Sequence, residues 1–206
     1  MATATETELD RETGVDIERM RLFTDAVFAI AITLLVIDLR LPENATLEEG
    51  LYTLPPKVLS FIISFLVVGS YWVAYHRYFR FVERLNGRLV WLNLFFLMGV
   101  VFMPFPTALI GPYGNQQRAV VLYAASVALV GMLMTLMWLY AAKNGLLTRD
   151  LSRRFVTYYA LRSVLPPIIF ILSMGLTYLN PYLAEASWVL IYVDRAVLSR
   201  VFGYRR

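Results

Sequence analysis

From Ala119 to Ala142 the chain runs without a single charged side chain. A run of about 20 apolar residues, rising about 1.5 Å each as a helix, crosses the hydrocarbon of a bilayer. A helix apolar on every side needs a large core or a membrane around it. The rest of the chain decides between the two. Hydrophobic residues make up 59% of it and charged residues only 17%, whereas soluble domains carry about 25% charged residues. Lipid is the solvent that suits this surface, and the chain reads as an all-α integral membrane protein.

Five further apolar runs flank the first one found. In chain order the expected spans are 22–39, 58–75, 89–111, 119–142, 155–179 and 181–202. Asp25 and Asp38 lie near the ends of the first. Pro55-Pro56 precedes the second and suits a helix N-terminus. Pro104 and Pro106 predict a kink or stop in the third, and Arg162 and Pro166-Pro167 fall inside the fifth. The sixth is the weakest, because its uncharged stretch stops at Asp194. Residues 1–18 are acidic, with Arg11 their one base, and lack the basic start and apolar stretch of a secretory signal. They read as a solvated, disordered tail on a membrane domain spanning 19–206.

The basic residues orient the spans, since cytoplasmic loops hold the excess of Lys and Arg. Arg11, Arg19 and Arg21 precede helix one. Arg77, Arg80, Arg84 and Arg88 follow helix two, and Lys143, Arg149, Arg153, Arg154 and Arg162 lie between helix four and the middle of helix five. Arg195, Arg200, Arg205 and Arg206 close the chain, which leaves only Arg40, Lys57 and Arg118 of the 19 on the other side. Six spans with both termini cytoplasmic, in the cell membrane, satisfy this alternation. The outer loop between Arg40 and Lys57 carries Asp38, Glu43, Glu48 and Glu49. It reads either as an ordinary solvated loop or as an acidic mouth that concentrates cations.

Several function classes find no support. With no cysteine there is no disulfide, thiolate metal site or cysteine nucleophile, and His76 is the only histidine. No Gly-x-Ser-x-Gly, His-Glu-x-x-His or paired intramembrane aspartate suggests an enzyme. Neither a cofactor nor a nucleic-acid partner is expected. A secondary transporter would show repeats and broken helices meeting at the midplane, for which Pro166-Pro167 is the one hint. A non-conducting membrane scaffold is compatible with everything above. Ala124, Ala128 and Gly131, with Ser126 nearby, allow close helix approach and read as packing.

Helix one opens with Arg19-Met-Arg-Leu-Phe23-Thr24-Asp25 and continues through Ile30, Thr33, Leu34 and Ile37. This resembles the Arg-x-x-x-Phe-Ser-Asp signature of the transmembrane protein 175 family of lysosomal potassium channels, in its bacterial form, with Thr24 keeping the hydroxyl. Trp72-Val-Ala-Tyr-His76-Arg77, Leu-Asn93-Leu-Phe-Phe-Leu and Pro104-Phe-Pro106-Thr extend the resemblance through helix three. Animal members look like two such repeats, so the resemblance implies a homotetramer of this chain. It implies that helix one lines a pore for potassium and other monovalent cations, without a carbonyl selectivity-filter loop. Ile30, Leu34 and Ile37 then form a hydrophobic constriction and gate, with Thr33 as a polar ring. From the residues alone the same stripe reads as ordinary lipid-facing or core packing, and only the resemblance makes it a pore lining.

At about 100° per residue, Leu34 and Ile37 fall close to Ile30 on one helix face and Asp25 falls nearly opposite. Asp25 is therefore expected to bind neighbouring helices rather than ions. Trp72, His76 and Arg80 share one face of helix two at the same depth, and Asn93 lies level with them on helix three. The residues leave Arg19 and Asp25 either wet at the interface or paired. The resemblance favours a structural network of Arg19, Phe23, Thr24, Asp25, Trp72, His76 and Asn93.

Overall fold

The computed structural model describes residues 4–40 and 46–191. All of its regular structure there is helical: α1 (Ala4–Leu34) with a 3₁₀ turn at Leu35–Asp38, α2 (Leu47–Phe79), α3 (Gly87–Phe102), α4 (Pro104–Tyr113), α5 (Gln117–Lys143), α6 (Arg153–Leu176) and α7 (Pro181–Ser187). Among the described residues five stretches are long and apolar enough to cross a membrane; α3 and α4 together make the third. An isolated antiparallel bridge between Val82 and Leu147 is the one β feature among the described residues. It joins the α2–α3 loop to the α5–α6 loop, where Glu83 N donates to Leu146 O and Thr148 N to Phe81 O, both at 2.9 Å.

Side-chain caps start several of the helices. The Asn86 side chain accepts from Leu89 N ahead of α3, and Ser152 accepts from Phe155 N ahead of α6. Thr46 and Glu49 form a reciprocal capping box ahead of α2, which satisfies backbone donors that a helix N-terminus otherwise leaves open.

That box corrects the expected start of the second span. α2 begins three turns earlier than Val58, and Pro55 and Pro56 lie inside it. A capping box with Glu48 and Glu49 in the first turn nucleates the helix more effectively than the prolines interrupt it. A second correction concerns the acidic segment: the chain is helical from Ala4 onward, where a disordered tail is expected. Acidic side chains close to a helix N-terminus favour the helix dipole. The prolines of the third span act as expected, breaking it at Met103. Of the expected sixth span, α7 and the turns up to Ile191 are seen, and the rest lies outside the described residues.

The core is organised around α5, which packs on α3, α4 and α6. Ala124 and Ala128 are buried, and a Cβ at Gly131 would come within 3.1 Å of Pro167 Cδ and of the Tyr71 hydroxyl. Those small residues bring α5 against α6 and α2 closely enough for Tyr71 Oη to donate to Val127 O at 2.7 Å. Ser126 and Thr135 bond carbonyls of their own helix, and other interior polar side chains pair across helices. Thr107 donates to Ser64 Oγ at 2.9 Å, and Ser64 bonds the Tyr123 hydroxyl at 3.1 Å. Such pairing removes the penalty of a bare polar group in an apolar medium.

Candidate pore-lining site

α1 has two chemically distinct faces. Ile17, Met20, Thr24, Phe28, Ala31 and Leu35 are buried, and from Thr24 onward the chain repeats them at helical spacing. They pack on α2 and α3; the Phe28 and Phe96 rings lie 5.9 Å apart. On the other face Ile30 is 60% exposed, Ile37 44% and Thr33 exposed, with Leu34 half-buried. The protomer therefore leaves the Ile30–Thr33–Leu34–Ile37 stripe uncovered.

Two features refine its geometry. The Thr33 hydroxyl donates to Ile30 O at 2.8 Å, so its lone pairs stay available to an outside cation. The 3₁₀ turn eclipses residues three apart, which brings Ile37 over Leu34 instead of continuing the α-helical drift. Arg40 Nε donates to Ile37 O at 2.9 Å and closes the turn.

A hydrogen-bonded clasp holds α1 in this orientation. Asp25 Oδ1 accepts from Trp72 Nε1 at 2.9 Å and lies 3.3 Å from His76 Nε2. His76 Nδ1 faces Trp72 O at 3.1 Å. The two rings, 4.5 Å apart, are one helical turn apart on α2, so one carboxylate reads both. Thr24 completes the clasp on the buried side. Its hydroxyl donates to the Tyr75 hydroxyl at 3.1 Å and accepts from Asn93 Nδ2 at 3.2 Å, joining α1 to α2 and α3. Tyr75 stacks between Phe79 and Phe96.

The expected network is thus brought together at Thr24, Asp25, Trp72, His76 and Asn93. Arg19 and Phe23 are exposed and are not part of the clasp. Arg21 takes the place expected of Arg19, donating from Nη2 to Phe79 O at the C-terminal end of α2. A guanidinium is favoured where a helix presents unpaired carbonyls. Tyr75 and Arg21 are the members that sequence reasoning missed. Tyr75 stands between Trp72 and His76 and reads from sequence as an ordinary aromatic of the span; only the buried hydroxyl of Thr24 hints at a partner.

At the outer end one carboxylate of the expected acidic mouth keeps its charge but is tied into the helix cap. The Glu49 carboxylate is engaged by Thr46 N and Oγ1, each at 2.9 Å. Glu48 is exposed, and Glu43 lies outside the described residues.

A bundle of apolar helices long enough to cross a bilayer, its first member fastened through Thr24 and Asp25, is a multi-span membrane protein, and its relatives are of the channel class. The chain belongs to the TMEM175 family: residues 19–104 match the family model described as endosomal/lysosomal potassium channel TMEM175. A potassium channel of Chamaesiphon minutus is 32% identical over 91% of this chain and 95% of its own length. A potassium channel of Streptomyces collinus is 37% identical over 62% of this chain, a match spanning 65% of that relative. The crystal structure of a lysosomal potassium-selective channel TMEM175 homologue from Chamaesiphon minutus superposes with a TM-score of 0.78 at 28% identity, covering 90% of this chain and 98% of that one. These relatives are ion channels and not enzymes.

Proposed function

We propose that this chain is a potassium-permeable channel of the cell membrane, built from four copies with α1 of each lining a central pore and both termini cytoplasmic. The observation that carries the proposal is the division of α1 into a clasped face and an uncovered aliphatic face. Trp72, His76, Tyr75 and Asn93 hold the first against the protomer, so the second points away from it. Closed rings are the usual form of a homo-oligomer, and a ring gives four such stripes an axis to face.

Rings of Ile30, Leu34 and Ile37 make a narrow dry neck, which gates by dewetting when its radius changes slightly. Thr33 adds hydroxyl oxygens that replace part of a cation's water shell. Potassium holds that shell less tightly than sodium, so partial dehydration favours potassium. No ion needs to meet Asp25, whose carboxylate is engaged by α2.

The cysteine-free chain makes the test direct. With Ile30→Cys as the sole thiol, oxidation should cross-link subunits, and thiol reagents should block potassium flux from loaded liposomes. Ile30→Asn and Leu34→Asn should raise leak. A monomeric protein, or flux indifferent to all three changes, would overturn the pore assignment. Saturating flux coupled to a second ion would indicate a transporter, and no flux a scaffold.

A further inference from the structure

Two cations hold the end of α1 beyond its uncovered stripe. Arg40 Nε donates to Ile37 O at 2.9 Å, and Lys57 Nζ, on α2, donates to Arg40 O at 2.9 Å. Leu39 N adds a bond to Val36 O at 3.0 Å, and Leu35, at the start of the 3₁₀ turn, is buried. The turn is pinned on both sides, and the Arg40 side chain folds back over it. A cation is favoured there, because the last carbonyls of a helix carry the negative end of its dipole. Only Nε takes part in that bond. The Nη groups lie beyond it, on a residue that is exposed.

This bond ties the position of the charge to that of Ile37. With Ile37 lining a narrow neck, the guanidinium on its carbonyl lies within about one Debye length, ~10 Å at 0.1 M salt, of the path an ion takes. Of the carboxylates at this end, Glu49 is tied into the cap of α2, while Asp38 brings an opposing charge in the turn itself. Arg40 therefore sets the mouth one positive charge per subunit higher than it would otherwise be. Four unit charges in water, about one Debye length away, raise the energy of a monovalent cation by about RT and that of a divalent cation by about twice as much. Local concentration then falls about threefold for the first and about sevenfold for the second.

We propose, on the reading that α1 lines the pore, that Arg40 of each subunit forms a ring of guanidinium groups at the mouth beyond Ile37, which selects monovalent over divalent cations. The neck and Thr33 sort ions by the cost of dehydration. Arg40 sorts them by valence before they reach the neck. Charged rings in channels act on permeating ions through their field, which does not require contact. Lys57 is a positioning residue here: by holding Arg40 O it fixes where the chain leaves the turn.

The test is flux of potassium and of calcium through the full-length protein in liposomes. At about 0.1 M salt, Arg40→Gln should raise potassium flux about threefold and calcium flux about sevenfold, so the preference for potassium falls two- to threefold. At about 1 M salt, made up with an impermeant cation, the Debye length shrinks to about 3 Å and the difference should vanish. Arg40→Lys should match wild type, and Arg153→Gln, at the start of α6, should change nothing. The chain has no cysteine among its described residues, which allows a second measurement on a single variant. Arg40→Cys, modified before reconstitution, should conduct more with a sulfonate-bearing thiol reagent than with a trimethylammonium-bearing one. Flux unchanged by Arg40→Gln would remove Arg40 from the mouth. A rise that persists at high salt would make it a cap whose loss loosens the turn, and equal flux with the two reagents would show that charge at this position is not felt. Each of these overturns the ring while leaving wild-type potassium flux, and so the channel reading, in place. A wild type that passes no ion would overturn both.

Discussion

α1 and α5 are both apolar spans, yet the protomer treats them in opposite ways. The most apolar window of α5 is 61% buried and that of α1 only 28%. α5 is uncharged along its apolar run and is surrounded by its own subunit, with Gly131 and its alanines setting how closely neighbours approach. α1 carries a carboxylate, is fastened on one side by polar bonds, and offers its other side to whatever lies outside. Hydrophobicity alone does not separate these cases. What separates them is the kind of residue set into the apolar background: small residues at a seam for α5, hydrogen-bonding ones for α1.

The contrast breaks if damage to the two helices looks alike. The largest effect is expected from Gly131→Leu, which forces a side chain into space already held by Pro167 and Tyr71. Overpacking of about 3 kcal/mol should appear as loss of folded protein on size-exclusion chromatography; a normal elution profile would mean the α5 seam is looser than described. Thr24→Val keeps shape but strands the Asn93 amide and the Tyr75 hydroxyl. It should lower stability by about 1–3 kcal/mol, read as a fall in the thermal unfolding midpoint. Asp25→Ala removes half-exposed bonds to Trp72 and His76, and about 1 kcal/mol is expected, with reduced tetramer yield. A pure change of ion selectivity with assembly intact would move Asp25 into the conducting path. Ile30→Asn closes the series: within about 0.5 kcal/mol of wild type in stability, yet altered in flux. A marked loss of stability there would place Ile30 against its own subunit or lipid instead of the central pore.

How far these differences can be seen without coordinates depends on the physics that sets each one. Apolar length and charge asymmetry are one-dimensional, so Ala119–Ala142 and the basic loops were readable directly. The Thr24–Asp25 clasp was largely readable too, because helical periodicity puts Asp25 opposite Ile30 and aligns Trp72 with His76. Arg21 was missed in favour of Arg19, since either could reach a helix end and only the packing of α1 on α2 decides. The start of α2 was misplaced for a different reason. Pro55-Pro56 is the more conspicuous local signal, yet the helix follows the Thr46–Glu49 capping box, whose spacing is itself legible. Which apolar stripe faces a sister subunit lies beyond any single chain.

The 3₁₀ turn at Leu35–Asp38 carries a mechanical consequence. Three residues of 3₁₀ helix make a full revolution over about 6 Å, while three of α-helix turn about 300° over about 4.5 Å. Relaxing this turn to α-helix would therefore act as a screw. It would swing Ile37 by about 60° and retract it by about 1.5 Å, without moving the clasped end of the helix.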